Sequence, residues 1–244
     1  MLRGVGIGAS QLAAEDVRLQ MLSNNLAQVD TPGYCQDQSS EKTFADMLMS
    51  RIGRNQTTIG PVDLSAAMGQ PSIDLAPGPI DPTGRPLDLA ASDGGFFAVQ
   101  APDGVRYTRR GSFHQDGQGR LVSLEGWPVL GQNGPIAGAG PLAISPTGQV
   151  SSGGKTIDTL RIVNFPNNAT LIRKDDTYLV PAAGTTVQAV NSPNVLTGSL
   201  AGSNVDLSTS ITNLMAAARS YQVAEQAVNT EDGALSQLID QVNK

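Results

Sequence analysis

At 244 residues the chain has room for one large domain or two modest ones, at roughly 100–200 residues per domain. Aromatics make up 4% and charged residues 16%, against 27 Gly and 15 Pro, so any core is thin, rich in small residues and served by short strands and loops. The net charge of −6, with no basic cluster longer than Arg109-Arg110, excludes a nucleic-acid footprint and a polybasic membrane anchor, while one cysteine (Cys35) and one histidine (His114) exclude an intramolecular disulfide and a Cys/His metal site.

The N-terminal stretch opens like a signal peptide, but Gln11, Glu15-Asp16 and Arg18 break the apolar run before a secretory h-region forms. Val5, Leu12, Leu19 and Leu26 recur at heptad spacing, with Leu22 and Val29 as a second row, so the pattern predicts a helix with a narrow apolar seam. It ends at Asp30-Thr31-Pro32-Gly33, because a residue before proline leaves the α region and glycine turns the chain. Gly4-Val5-Gly6-Ile7-Gly8 is no phosphate loop: no strand precedes it and the glycine spacing is wrong. From Gln36 to about Pro86 the text is mixed, with one short amphipathic segment at Thr43–Met49 and then a Pro/Gly/Asp-rich linker.

From Asp93 to Gly131 the residues predict a meander of short strands at Phe96–Gln100, Val105–Phe113, Arg120–Leu124 and Trp127–Leu130. Turn chemistry separates them at Pro102-Asp103-Gly104, Asp116-Gly117-Gln118-Gly119 and Glu125-Gly126. Further strands are expected at Thr156–Val163 and Thr177–Val180, and Phe96, Phe97, Phe113 and Trp127 are the expected β-domain core. Arg109 and Arg110 are assigned to the solvated face of a strand. Cys35 has no Lys, Arg or His beside it to activate a thiolate, and Asp116–Gly119 lacks the ligand spacing of a calcium loop.

Near the C-terminus Leu207, Leu214, Tyr221, Val228, Leu235 and Val242 keep strict heptad spacing, flanked by Ile211, Ala218 and Ile239 and interrupted by Glu225 and Asp232. Ser203, with Asp206 three residues on, is the expected N-cap. The organisation is therefore an N-terminal assembly helix (1–34), a linker with a short helix (35–85), a central β domain (86–202) and a C-terminal assembly helix (203–244). The fold class expected is α+β, with long N- and C-terminal helices forming a coiled-coil-like assembly domain around an inserted all-β domain. Neither helix can bury its seam alone; the partner is the other helix, the β domain or another copy of the chain, and the pattern does not choose among them.

Three passages, in order, resemble the rod and hook proteins of the bacterial flagellar axis. Asn24-Asn25-Leu26-Ala27-Gln28-Val29-Asp30-Thr31-Pro32-Gly33-Tyr34 is similar to the family's N-terminal signature, with Gln28 where Asn is usual. Gly94-Gly95-Phe96-Phe97-Ala98-Val99, Tyr107–Phe113, Gly119–Val122 and Gly126–Gly131 resemble the rod-protein β domain block for block. Ser203-Asn204-Val205-Asp206-Leu207 through Ala218-Arg219-Ser220-Tyr221-Gln222 resembles its C-terminal helix, departing at Gln222 and Ala224. The length resembles the distal-rod type, and Phe44 and Met47-Leu48 with Arg51-Ile52 look like the pair of hook-basal body rod-type proteins of Gram-positive flagella.

The resemblance implies a structural subunit, not an enzyme, exported unfolded through the flagellar secretion channel without a cleavable signal and polymerising helically outside the cytoplasmic membrane. Its implied partners are itself, other rod and hook subunits, the export apparatus and, by contact, peptidoglycan; no cofactor is implied. The implied assembly residues are Leu12, Leu19, Leu22, Asn24, Asn25 and Leu26 on the first helix. On the second they are Leu207, Ile211, Leu214, Ala218, Arg219, Tyr221, Val228 and Leu235. Two other classes stay open: a secreted adhesin or capping module that does not polymerise, and a cell-wall hydrolase, for which no carboxylate pair sits in a recognisable motif.

Overall fold

The computed structural model describes residues 2–38, 72–166, 170–190 and 193–242. The chain forms two compact units, one of Met1–Leu26, Asp37–Ser72 and Asp206–Lys244, the other of Ala27–Gln36 and Ile73–Val205. The Thr43–Met49 segment and most of the expected linker lie outside the described residues.

The first unit holds an N-terminal helix, Leu2–Ala27, and a longer C-terminal helix, Leu207–Val242. The cap of the second is Asp206: its Oδ1 accepts the Thr209 amide at 2.6 Å, while the Ser203 hydroxyl accepts from Val205 outside the helix at 3.2 Å. The capping reach of three residues starts at Asp206, and not, as expected, at Ser203. That bond to the Thr209 backbone draws the Asp206 carboxyl below its ordinary pKa.

The expectation of long terminal helices closing into a coiled-coil-like assembly domain is overturned. Among the described residues the extensive contacts between elements all run between strands, and the two helices are not wound on each other. A coiled coil repeats close contact at every a and d position along both helices. Heptad spacing marks an apolar stripe on one helix and carries no information about what lies on it. The protein is mainly β, with one main helix and a shorter one before it.

The second unit is built from short antiparallel strands. Its largest sheet has six, in the order Leu171–Asp175, Tyr178–Pro181, Gly104–Thr108, Phe96–Ala101, Ile162–Asn164 and Gln188–Ala189. Phe96–Ala101 and Gly104–Thr108 form the central hairpin, pairing Phe97 with Thr108 and Ala98 with Tyr107. The turn falls on Pro102-Asp103-Gly104, where Gly104 takes a φ of 135° that a side chain disfavours.

Phe96-Phe97-Ala98-Val99 is a continuous apolar run because both faces of this strand are covered. Alternation sends Phe97 and Val99 into one core, with Phe113, Leu121, Val129, Ile136, Val150 and Leu160. It sends Phe96 and Ala98 into another, with Cys35, Tyr107, Phe165, Leu171 and Leu179. A three-stranded sheet, Leu142–Ile144, Gln149–Ser152 and Lys155–Thr159, closes the first core. Two-stranded pairs join Leu89–Ala91 to Val195–Thr197, Ile80–Pro82 to Ser199–Ala201 and His114–Gln115 to Leu121–Val122.

The expected meander differs in three places, the first being that the strand expected at Arg120–Leu124 is only Leu121–Val122. The strand begun at Val105 stops at Thr108, and the Trp127–Leu130 stretch makes only isolated bridges, through Pro128, Val129 and Leu130.

Candidate functional site

On the C-terminal helix, Ser210, Leu214, Ala217, Tyr221, Ala224 and Val228 follow one another at alternate steps of four and three, marking one face. The small members Ser210, Ala217 and Ala224 are buried, and the large members Leu214, Tyr221 and Val228 half-buried. The companion row expected at Ile211 and Ala218 is thus displaced by one residue: Ala218 is half-buried, while Ile211 and Arg219 are exposed. Leu207 is also exposed, and so are Ile211, Met215 (58%) and Val223 (66%), large apolar side chains open to solvent that wind round the helix away from the half-buried face. Covering these four large side chains is worth on the order of 1 kcal/mol each. The Leu235 side chain lies outside the described residues.

On the N-terminal helix, Leu12, Leu19, Leu22 and Leu26 are half-buried and Asn24 is exposed. Asn25 is 4% exposed. Its amide makes a two-point bond to one residue of backbone, donating to the Asp37 carbonyl at 2.8 Å and accepting the Asp37 amide at 2.9 Å. An asparagine side chain thereby stands in for a strand neighbour.

In the β unit the Gly33–Gln36 segment is held by a second asparagine. Asn204 Oδ1 accepts the Gln36 amide at 2.6 Å, and its Nδ2 donates to the Asp74 and Ala76 carbonyls at 3.1 Å each. Gly33, at φ 74°, packs so tightly that a Cβ there would lie 2.2 Å from the Arg110 amide nitrogen. Tyr34 is buried, with the Arg173 guanidinium 4.5 Å over its ring.

Arg109 is not on a solvated face. It is 6% exposed, donates from Nε to the Gly94 carbonyl at 2.9 Å and from its terminal nitrogens to Ala76 at 2.7 Å and to Leu75, and stacks 4.4 Å over Phe96. Burial lowers its pKa from the usual arginine value. Its other contact is the Cys35 sulfur at 3.6 Å. Burial pushes the Cys35 thiol up, against the opposing pull of Arg109 and Arg173. No sequence neighbour of Cys35 gave notice of these arginines, which arrive from 74 and 138 residues away.

Phe96, Phe97 and Phe113 are buried, and Trp127 is half-buried against the first core. Phe97 meets Phe113 edge-on at 5.3 Å, and Phe96 meets Phe165 at the same distance. Asp116 closes its turn by accepting the Gln118 and Arg120 amides at 2.9 and 2.8 Å. Among the described residues no group of three or more His, Cys, Asp or Glu is placed to hold a metal ion.

Comparison with known proteins matches two family profiles. Residues 91–152 match the flagellar hook protein FlgE/F/G D1 domain, and residues 196–241 match the flagellar basal body rod FlgEFG protein C-terminal region. The chain is 31% identical to the flagellar basal-body rod protein FlgG of Bacillus subtilis, over 98% of this chain and 99% of that one. It is 28% identical to the flagellar basal-body rod protein FlgF of Escherichia coli, over 89% and 90% of the two. It is 26% identical to the flagellar hook-basal body complex protein FlhO of Bacillus subtilis, over the full length of both.

Proposed function

Because this chain belongs to the flagellar basal-body rod protein family and is a structural subunit of the rod, we propose that it polymerises helically through surfaces on its helical unit, outside the cytoplasmic membrane. The observation that carries this reading is the set of large apolar side chains, Leu207, Ile211, Met215 and Val223, left exposed on the helix outside its half-buried face. A head-to-tail contact between these side chains and a different patch on the next copy does not close on itself, and so grows a filament.

In this reading Leu12, Leu19, Leu22, Asn24, Asn25 and Leu26, with Leu214, Ala218, Arg219, Tyr221, Val228 and Leu235, belong to the assembling segments 1–34 and 203–244. The subunit travels through the flagellar export apparatus, meets other rod and hook subunits, contacts peptidoglycan and acts as a structural part, not an enzyme. Family membership supports the basal-body setting and the structural role.

The test is sedimentation and electron microscopy of the purified chain beside a Met215→Asp/Val223→Asp double variant. Both replaced side chains are exposed, so the variant should keep its circular dichroism and lose the filaments. Filaments that form equally well in the variant would refute the role of these side chains. A wild-type chain that stays monomeric at every concentration would remove polymerisation and leave the capping reading.

A further inference from the structure

A cleft of about 540 Å³ opens on the β unit beside the Pro102–Gly104 turn, lined also by Glu125, Trp127 and the Asp175–Tyr178 turn. That volume falls within the roughly 300–1,000 Å³ typical of ligand pockets. One wall is aromatic: Trp127 and Tyr178 meet with ring centroids 4.7 Å apart. The polar lining is unbalanced, since four carboxylates (Asp103, Glu125, Asp175, Asp176) face two guanidiniums.

Arg106 is fully engaged, whereas the buried Nε of Arg110 has no hydrogen-bond partner among the described residues. Arg106 lies 4.7 Å over the Trp127 ring, donates to Asp103 at 2.9 and 3.1 Å, and bonds Asp175. Arg110 reaches Glu125 at 3.7 Å. Arg106 holds the Asp103 carboxyl below its ordinary pKa, with a smaller pull from Lys174. Asp103 and Asp175 nevertheless keep 53% of their side chains exposed, and the Asp176 carboxylate makes no bond among the described residues.

We propose that this cleft receives a cationic side chain, arginine in preference to lysine, from a basic loop of a partner protein. Arg106 is the internal precedent: a planar guanidinium stacked on an indole and shared between two carboxylates, which is the arrangement arginine makes better than lysine. A second guanidinium finds both carboxylate oxygens of Asp176 and the Oδ1 of Asp175 that Arg106 leaves open, in a partly enclosed cleft where attraction is screened less than on open surface. A sugar ring, the other guest such walls could suit, lacks the charge to answer the carboxylate excess and finds an indole face already covered by Arg106. The site is on the β unit and stands independently of polymerisation.

Trp127 is the sole tryptophan, so its fluorescence reports on the cleft directly. The full chain would be titrated with acetyl-Gly-Arg-Gly-amide, with its Lys and Gln counterparts, and with tri-N-acetylglucosamine. The Arg peptide should give a saturable change with a midpoint on the order of 1 mM, weaker for Lys, absent for Gln and reduced in high salt. Asp176→Lys should abolish it with unchanged circular dichroism, and the milder Asp176→Asn should weaken it at least threefold. The proposal falls if the Arg peptide gives no saturable change, if the Gln peptide matches it, or if both Asp176 variants bind normally. A saturable response to the saccharide alone would give the cleft to a glycan. Filament formation that survives in Asp176→Lys would leave the polymerisation reading untouched.

Discussion

Replacing Arg109 with methionine keeps an unbranched stem in the core and deletes every donor that the guanidinium directs at three carbonyls. The Gly94 residue is buried, so its carbonyl loses a partner that water cannot replace, at about 1–3 kcal/mol. The Leu75 and Ala76 residues are half-buried and exposed, so their carbonyls recover water and cost about 0.5–1.5 kcal/mol each. Against this, the variant no longer desolvates a charge, which returns part of the loss. The net expectation is a destabilisation of about 2–4 kcal/mol, equivalent to a melting point lower by about 5–15 °C for a unit of this size. Urea titration followed by Trp127 fluorescence and far-ultraviolet circular dichroism measures it. Arg109→Lys should restore only part, because an ammonium cannot span three carbonyls as the planar fork does. If Arg109→Met lies within about 0.5 kcal/mol of the parent, the carbonyls are not held by Arg109 and the reasoning is wrong.

The Cys35 thiol should resist thiol reagents in the folded chain and react promptly only when the chain is unfolded in urea; Arg109→Met, which removes a cation that favours the thiolate, should not activate it in the folded state. Since burial raises its pKa above the ordinary 9.0, the unfolded chain releases this proton first as pH rises through that value. Stability should therefore be constant through this group below pH 9, fall above it, and level only past the folded value; Cys35→Ala should flatten that slope in urea titrations at stepped pH. Gly33→Ala places a Cβ 2.2 Å from the Arg110 amide at a left-handed φ of 74° and should cost at least about 2 kcal/mol, with an unchanged midpoint counting against the packing described.

Much of the β unit is written locally. The run Phe96–Val99 declares a strand covered on both faces, and Pro102-Asp103-Gly104 declares its turn, because each needs only adjacent residues. The three- and four-residue strands at Leu142–Ile144 and Gln149–Ser152 carry too few alternations to stand out. Arg109 was misassigned for a different reason: carbonyls from Leu75, Ala76 and Gly94 make burial of a guanidinium tolerable, and no pattern around Arg109 reveals that they converge. On the C-terminal helix the heptad fixed the large half of the face, Leu214, Tyr221 and Val228. It could not show that alanine and serine, not Ile211, complete it, since small residues leave no hydrophobic trace. The expected coiled coil failed for a separate reason: an apolar stripe along one helix says nothing about which element packs on it, and among the described residues the two helices are not wound together.

The doublet Phe96-Phe97 has a consequence for how the sheet finds its register. In most strands a slip of one residue swaps apolar for polar and is rejected at once; here a slipped strand would still offer a phenylalanine to one of the cores. What forbids it is the pair of small residues bracketing the doublet. Slipping one way drives Phe96 into the place of Gly95, where even a Cβ would sit 2.6 Å from Ile162 Cγ2. Slipping the other way drives Phe97 into the place of Ala98, which is wholly enclosed. Gly95 and Ala98 thus proofread the alignment of the central strand, and enlarging either should produce misaligned chains before it produces merely unstable ones.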